Sequence, residues 1–184
     1  PGSPWIALHT LREQDRLRLF ELHSSDSELL QENFRGAGRR VAVSATDGFA
    51  GIKTLLPPPP RRGLILIDPS YELREDYPHV VQALKDGLTR FATGTYAIWY
   101  PQLSRSESQQ LPERLKSAAG KNWLHVALSV RAPARDGIGM HGSGMFVVNP
   151  PWTLHEMLRE TMPWLVSTLG QDAGAKFVLE QKTD

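Results

Sequence analysis

The stretch Asp68-Pro69-Ser70-Tyr71 joins an acid, a rigid imino residue, a small polar residue and an aromatic ring. Such a set suits a planar group that carries an amine. A carboxylate and a carbonyl accept its N–H hydrogens, proline fixes the backbone, and a ring covers a flat face. These residues follow Leu64-Ile65-Leu66-Ile67, an apolar run that reads as a strand buried on both faces, as in parallel sheets. Ligands of open α/β sheets bind beyond the carboxyl ends of strands, which is where residues 68–71 fall. Two further acids, Glu21 and Asp47, lie at the ends of strand-like runs over residues 16–22 and 40–44. An acid after the second strand of a nucleotide-binding sheet holds a ribose diol, and one in the following loop can accept from an adenine amino group. Three acids in this order point to an adenosine-bearing cofactor. The plainer reading is that strand ends are simply polar.

Residues 68–71 are close to the pattern (Asp, Asn or Ser)-Pro-Pro-(Tyr, Phe or Trp) of methyltransferases that act on exocyclic amines. The adenine amino nitrogen is a poor nucleophile because its lone pair is delocalised into the ring. Asp68 and the Pro69 carbonyl accept its two hydrogens in this reading and turn the lone pair toward an electrophilic methyl. Tyr71 stacks on the base, a contact worth about 1–3 kcal/mol, and the rest is alignment. Neither a metal nor a covalent intermediate is needed. An ordinary strand-to-loop turn is the competing reading.

Asn149-Pro150-Pro151-Trp152 fits the pattern better still. A catalytic turn there needs a Gly-rich cofactor loop elsewhere, and the residues after it contain none; the alternative is that Asn149 ends a strand and caps the last long helix. Gly137-Ile138-Gly139 and Gly142-Ser143-Gly144 fail the context of a phosphate cradle, because they lie between two strands and open no helix. A flexible hairpin loop is expected, whose Arg131, Arg135 and His141 can touch a nucleic acid. The six histidines show no metal-ligand spacing, no Gly-x-Ser-x-Gly elbow occurs, and there is no cysteine for a thiolate site.

The elements that must position these residues alternate. A helix is expected over residues 4–11 with Ser3 as its cap, then the strand at 16–22. A helix capped by Ser25 or Asp26 follows to residue 34, where Gly36-Ala37-Gly38 ends it. After the strand at 40–44, a helix over 49–56 stops at Pro57-Pro58-Pro59-Pro60, expected to be a stiff extended connector. Beyond the central strand come a helix (77–91), a strand (95–100), a helix capped by Ser104 and stopped by Gly120, and a strand (123–130). A Gly-rich loop (131–144), a strand (145–148), a helix (154–169) and a last strand (176–180) complete the chain. Strand–helix alternation predicts an α/β fold with a mostly parallel sheet and helices on both faces.

At 184 residues the chain is expected to be one domain, residues 1–184. A net charge of +1 excludes a strong overall field for nucleic acid, so any such binding uses a local patch. Arg12, Arg16 and Arg18, then Arg35, Arg39 and Arg40, then Arg61 and Arg62 form small basic clusters, read mostly as solvated surface. No apolar run approaches membrane-spanning length and no signal-peptide layout opens the chain, so a cytoplasmic protein is expected.

Several segments together resemble the RlmJ family, the bacterial 23S ribosomal RNA adenine-N6 methyltransferases, some of whose members have also been described as proteins for using external DNA. They are Pro-Gly-Ser-Pro (1–4), Leu-Arg-Glu-Gln-Asp (11–15), Glu-Leu-His (21–23), Asp-Gly-Phe (47–49), Arg-Arg-Gly-Leu-Ile-Leu-Ile-Asp-Pro (61–69), Arg-Phe-Ala-Thr-Gly-Thr-Tyr-Ala (90–97) and Asn-Pro-Pro-Trp (149–152). The resemblance implies a Rossmann-like class I methyltransferase that uses S-adenosylmethionine and acts as a monomer on an unpaired or flipped adenine of 23S rRNA. By position, Glu21 holds the cofactor ribose, Asp47 with Gly48 meets its adenine, and Asp68, also at the cofactor, is the catalytic acid beside Pro69 and Tyr71. DNA adenine methylation and non-catalytic nucleic-acid binding are the alternatives. Ser70 stands where the family has a second proline, a change expected to be tolerated. The family's first strand and Gly-rich cofactor loop have no counterpart in these residues, and the chain is expected to be part of a longer protein.

Overall fold

Two short parallel strands, β1 (Leu17–Phe20) and β2 (Val41–Ser44), form the sheet of the first of two compact units into which the chain divides after Leu55. The structure, a computed structural model, describes residues 2–183. Pro1, which opens the Pro-Gly-Ser-Pro segment, lies outside the described residues.

In the first unit, helix α1 (Ser3–Thr10) is capped by Gly2 and not by Ser3, which lies one position inside it. The Arg40 guanidinium donates to the carbonyls of Leu8, Leu11 and Arg12 at 3.2, 2.6 and 2.8 Å. Leu8 lies in the last turn of α1 and Leu11 caps it, where helix carbonyls lack partners, so Arg40 is a backbone clasp at the helix end and not solvated surface. Helix α2 (Ser24–Phe34) starts after His23, ahead of the expected caps Ser25 and Asp26, and puts Asp26 in its first turn, where its charge favours the positive helix end. A tight turn over Arg35–Arg40 follows, kinked at Gly38 with φ 58°. Helix α3 (Gly48–Leu55) descends onto β1 at Gly51. A Cβ there would stand 2.6 Å from Cζ of Phe20.

The second unit is a five-stranded sheet of order β3-β4-β6-β5-β7. Its strands are β3 (Leu64–Ile67), β4 (Thr95–Gln102), β5 (Trp123–Ser129), β6 (Gly142–Val148) and β7 (Lys176–Lys182). Its helices are α4 (Asp76–Arg90), α5 (Ser106–Ala119) and α6 (Leu154–Leu169). β3 and β4 are parallel; β6 runs antiparallel to both β4 and β5, and β7 antiparallel to β5. Three strands thus share one direction, and β6 enters reversed between β4 and β5. The α/β class follows the alternation in the sequence, whereas the reversal of β6 and β7 does not follow from it.

Four local expectations are corrected. The proline run is not an extended connector, because the Arg61 N–H closes a turn on the Pro58 carbonyl at 2.8 Å. β3 is not buried on both faces. It pairs with β4 alone among the described strands, and Leu64 and Leu66 are exposed while Ile67 is buried. β4 continues through Pro101 to Gln102; its pairing with β3 ends at Ile98, so the missing N–H of Pro101 breaks no ladder on that side. β6 begins at Gly142, inside the stretch read as a loop, because the Tyr100 ring lies across Gly144 and leaves no room for a side chain.

Tyr96, Ile98 and Tyr100 of β4 are buried, as are Tyr77, Val80 and Leu84 of α4 and Leu111 and Leu115 of α5. Each such side chain contributes about 1.5–3 kcal/mol by leaving water. A polar strap crosses the same sheet. The Tyr100 hydroxyl meets His125 Nε2 at 2.8 Å, His125 Nδ1 meets Glu180 at 3.1 Å, and Lys116 of α5 pairs with Glu180 at 2.7 Å. A neutral imidazole satisfies both neighbours, with Nδ1–H donating to Glu180 and Nε2 accepting from Tyr100. No helix among the described residues is long and apolar enough to cross a membrane.

Burial pushes the pKa of His125 below its ordinary value, while bonds from Lys116 and His125 hold the Glu180 carboxyl below its own. The unfolded chain takes up a proton at His125 near pH 6.5 that the folded chain refuses, so acid favours unfolding from about that pH downward. The stabilisation from ionised Glu180 is lost in turn as pH falls through its lowered folded value. Urea midpoints should therefore fall between pH 7.5 and pH 5, and His125→Gln should flatten the upper part of that fall. An unchanged slope in the variant would contradict the assignment.

Candidate active site

Glu21 directly follows β1, where its N–H continues the ladder to the Ser44 carbonyl at 3.1 Å. One carboxylate oxygen accepts the His23 N–H at 2.9 Å. Asp47 lies three residues beyond β2, and its Oδ1 accepts the Phe49 N–H at 2.8 Å at the start of α3. Since Phe20 is opposite Ser44 in a parallel pair, Glu21 and Asp47 share the carboxyl end of one sheet. Gly48 lets the backbone close on β1, as a Cβ there would sit 3.3 Å from that of Phe20. Each acid commits one oxygen to local backbone and keeps the other. Two carboxylate acceptors fit a ribose diol and an adenine amine, which are hydrogen-bond donors.

In the second unit, residues 68–71 follow β3 at its carboxyl end. Asp68 is exposed at the tip, yet enough protein stands around its carboxyl that desolvation raises its pKa. Ionised Asp68 is therefore an acceptor stronger than a carboxylate free in water. Pro69 is half-buried and Ser70 exposed. Tyr71 holds the turn: its φ is 54°, its ring is 2 % exposed, and its hydroxyl donates to the Trp99 carbonyl at 2.6 Å. The ring packs on Tyr77 at 4.9 Å and Trp99 at 6.2 Å between centroids. Burial and the nearby charge of Asp68 push the Tyr71 phenol far above its ordinary pKa, which keeps it a donor. The stacking expected of Tyr71 does not fit this placement. The ring faces the protein, and its observed work is to anchor the turn.

Arg105, between β4 and α5, donates to the Tyr71 carbonyl at 3.4 Å. Sequence reasoning missed it, although the carboxyl-end rule applied to β4 points to residues 103–105. Asn149 follows the central strand β6 and lies at the opposite end of the strands, beside the starts of β4 and β5. Its side-chain nitrogen donates to the Ala92 and Gly94 carbonyls at 2.8 and 2.7 Å, and its side-chain oxygen accepts from Asn122 at 3.0 Å. Helix α6 is preceded by Thr153, so Asn149 ties strand ends together and caps no helix. Of the two similar motifs, the one at Asp68 presents its acid and the one at Asn149 consumes its amide.

The chain matches the family model described as ribosomal RNA large subunit methyltransferase D, RlmJ, over residues 1–179. It is 46% identical over 179 residues to ribosomal RNA large subunit methyltransferase J of Haemophilus influenzae, covering 97% of this chain and 63% of that protein. It is 47% identical over 169 residues to the Escherichia coli K12 protein of the same name, covering 92% and 60%. The chain thus spans about three fifths of the length of these curated relatives. Among solved structures, protein LPL1258 of Legionella pneumophila superposes with a TM-score of 0.90 at 33% identity, over 100% of this chain and 67% of that one.

Tyr71→Phe keeps the ring and removes the one bond that pins the turn to β4. A cost of about 1–2 kcal/mol in unfolding free energy is expected, since a part-buried acceptor loses its donor. Urea denaturation measures it, and an unchanged midpoint would show that the hydroxyl does not hold the turn.

Proposed function

The chain belongs to the RlmJ family of ribosomal RNA large subunit methyltransferases, and on that premise we propose that it carries the catalytic acid for methylation of an exocyclic adenine N6 in 23S ribosomal RNA. Residues 1–184 are read as part of one class I methyltransferase domain, acting as a monomer in the cytoplasm on a base that is unpaired or swung out of its stack. S-adenosylmethionine, when bound, supplies an electrophilic methyl group. In the first unit Glu21 would accept from its ribose and Asp47, with the Gly48 backbone, would meet its adenine; in the second unit Asp68 would accept from the substrate amine.

The work of the protein is positional. Asp68 and the Pro69 carbonyl accept hydrogen bonds from the two N6 hydrogens, which draws the nitrogen lone pair out of conjugation with the ring; as N6 gains the methyl group it gives up one of these protons to solvent. The raised pKa of Asp68 strengthens the bond it accepts. Tyr71, held to Trp99, and Arg105, held to the Tyr71 carbonyl, fix the angle of the turn. The observation that carries the reading is an acid left exposed in a desolvating setting at the end of a parallel strand, on a turn that its neighbours lock.

Asp68→Ala, which removes the acceptor, should reduce methyl transfer at least 100-fold while leaving S-adenosylmethionine binding by calorimetry near that of the unmodified protein. Ionised Asp68 opposes folding, because its folded pKa is raised: the native state binds more protons between the unfolded and folded values, so stability falls as pH rises through that window. The neutral amide removes this opposition, and the Tm of Asp68→Asn should equal or exceed that of the unmodified protein. Methyl transfer itself should rise with pH through a value above the ordinary carboxylate range. Full activity in Asp68→Ala would overturn the mechanism.

A further inference from the structure

Three loops meet at the carboxyl end of the five-stranded sheet. The turn at 68–71 touches Arg105 through the Tyr71 carbonyl. Ser104, next to Arg105, faces the β5–β6 loop: a Cβ on Gly137 would lie 3.5 Å from that of Ser104. The main chain joins the same loops, the His141 N–H donating to the Gln102 carbonyl at 3.1 Å. The rim is therefore continuous from Asp68 to residues 131–141.

The β5–β6 loop is exposed from Arg131 to Met140 but not slack. The Gly137 N–H bonds to the Ala134 carbonyl at 2.9 Å, the Ile138 N–H to Asp136 at 3.0 Å, and the Arg131 guanidinium to the Met140 carbonyl at 3.1 Å. Its acids are occupied with backbone: Asp136 accepts from Ile138, and neighbouring Asp172 accepts from Ala132 and Gly174. Its cations are not occupied with acids, since Arg131 and Arg135 form no ion pair among the described residues. Ile138 is 74% exposed and Met140 49% exposed beside them. Behind the loop, a cavity of about 390 Å³ runs between Leu128, Val130 and Leu169, with Arg131 and Met140 at its wall. A shaped, cation-bearing loop with an apolar crest fits a single-stranded polyanion whose flat, weakly polar rings need cover.

We propose that this rim is the track for the RNA strand that carries the target adenine, with Arg131 and Arg135 on its phosphates and the crest at Ile138 and Met140 against an unstacked neighbouring base. The proposal rests on the reading of Asp68 as the catalytic acid. β5 lies three strands from β3, about 14 Å at the usual strand spacing, so the contact falls a few nucleotides from the methylated base. A net charge of +1 is no obstacle to this contact, which needs only the local cations Arg131 and Arg135.

The test is fluorescence anisotropy with a labelled single-stranded RNA 12-mer and with protein-free 23S rRNA, across a salt series. Arg135→Ala, which removes no internal bond, and the double variant R131E/R135E are compared with Arg159→Ala on α6 as a control. Each lost phosphate contact should lower the slope of log affinity against log salt by about 0.7 and weaken binding about 3- to 10-fold. The double reversal should exceed 10-fold, with S-adenosylmethionine affinity unchanged in all variants and RNA affinity unchanged in Arg159→Ala. Unchanged RNA affinity and slope in the double variant overturn the track, even where Asp68→Ala is inactive as expected. A lost slope in a protein that transfers no methyl group leaves the track standing and removes the catalytic reading.

Discussion

Tyr71 sits at φ 54°, a backbone conformation that a bulky residue keeps only where its surroundings hold it there. Here the holding contacts can be named: its hydroxyl on the Trp99 carbonyl, its ring on Tyr77 and Trp99, and Arg105 on its own carbonyl. Everything about the site of Asp68 follows from this fixation. With the ring drawn inward, the Asp68 carboxylate is left at the tip, where the surrounding protein partly desolvates it. The same interaction removes Tyr71 from the role its residue type suggests. A ring that anchors cannot also lie open to a base, so cover for the base must come from other groups.

The second constraint is the reversed strand β6. By entering between β4 and β5 it sets Gly144 between Tyr100 and Ala127, puts His125 on the same face two residues along from Ala127, and β7 then sets Glu180 opposite His125. Polar groups buried in this way are tolerated because each has a partner. Position 144 carries no side chain because the Tyr100 ring needs the space. Packing on one face of the sheet and hydrogen bonding across it are thus two results of one topological choice.

Much of this could be read from residues alone. Alternation of apolar runs with amphipathic stretches gave the α/β class, and α6 begins and ends where its pattern does. Asp68 is legible because an acid, a proline and an aromatic residue end an apolar run. What could not be read depends on contacts distant in sequence. Leu64 and Leu66 look like core residues, but their exposure is decided by how many strands flank β3. The glycines from 142 to 144 have loop chemistry and become a strand only because Tyr100 requires a bare backbone opposite. Asn149 fits the motif better than Asp68 does, and only the carbonyls of Ala92 and Gly94 show that its amide is already engaged. Arg40 reads as surface charge, and Arg105 goes unnoticed, until the carbonyls they serve are seen.

The strand order also bears on how the chain is made. β4 and β5 are consecutive in synthesis but do not touch; the flank of β4 waits for β6, whose first paired residue, Gly142, comes 40 positions after its partner Gln102 (142 − 102). At translation rates of about 5–20 residues per second, that interval is about 2–8 s. Throughout it the nascent chain carries a half-built ladder with an open side, and the rows cannot zip in the order in which they emerge.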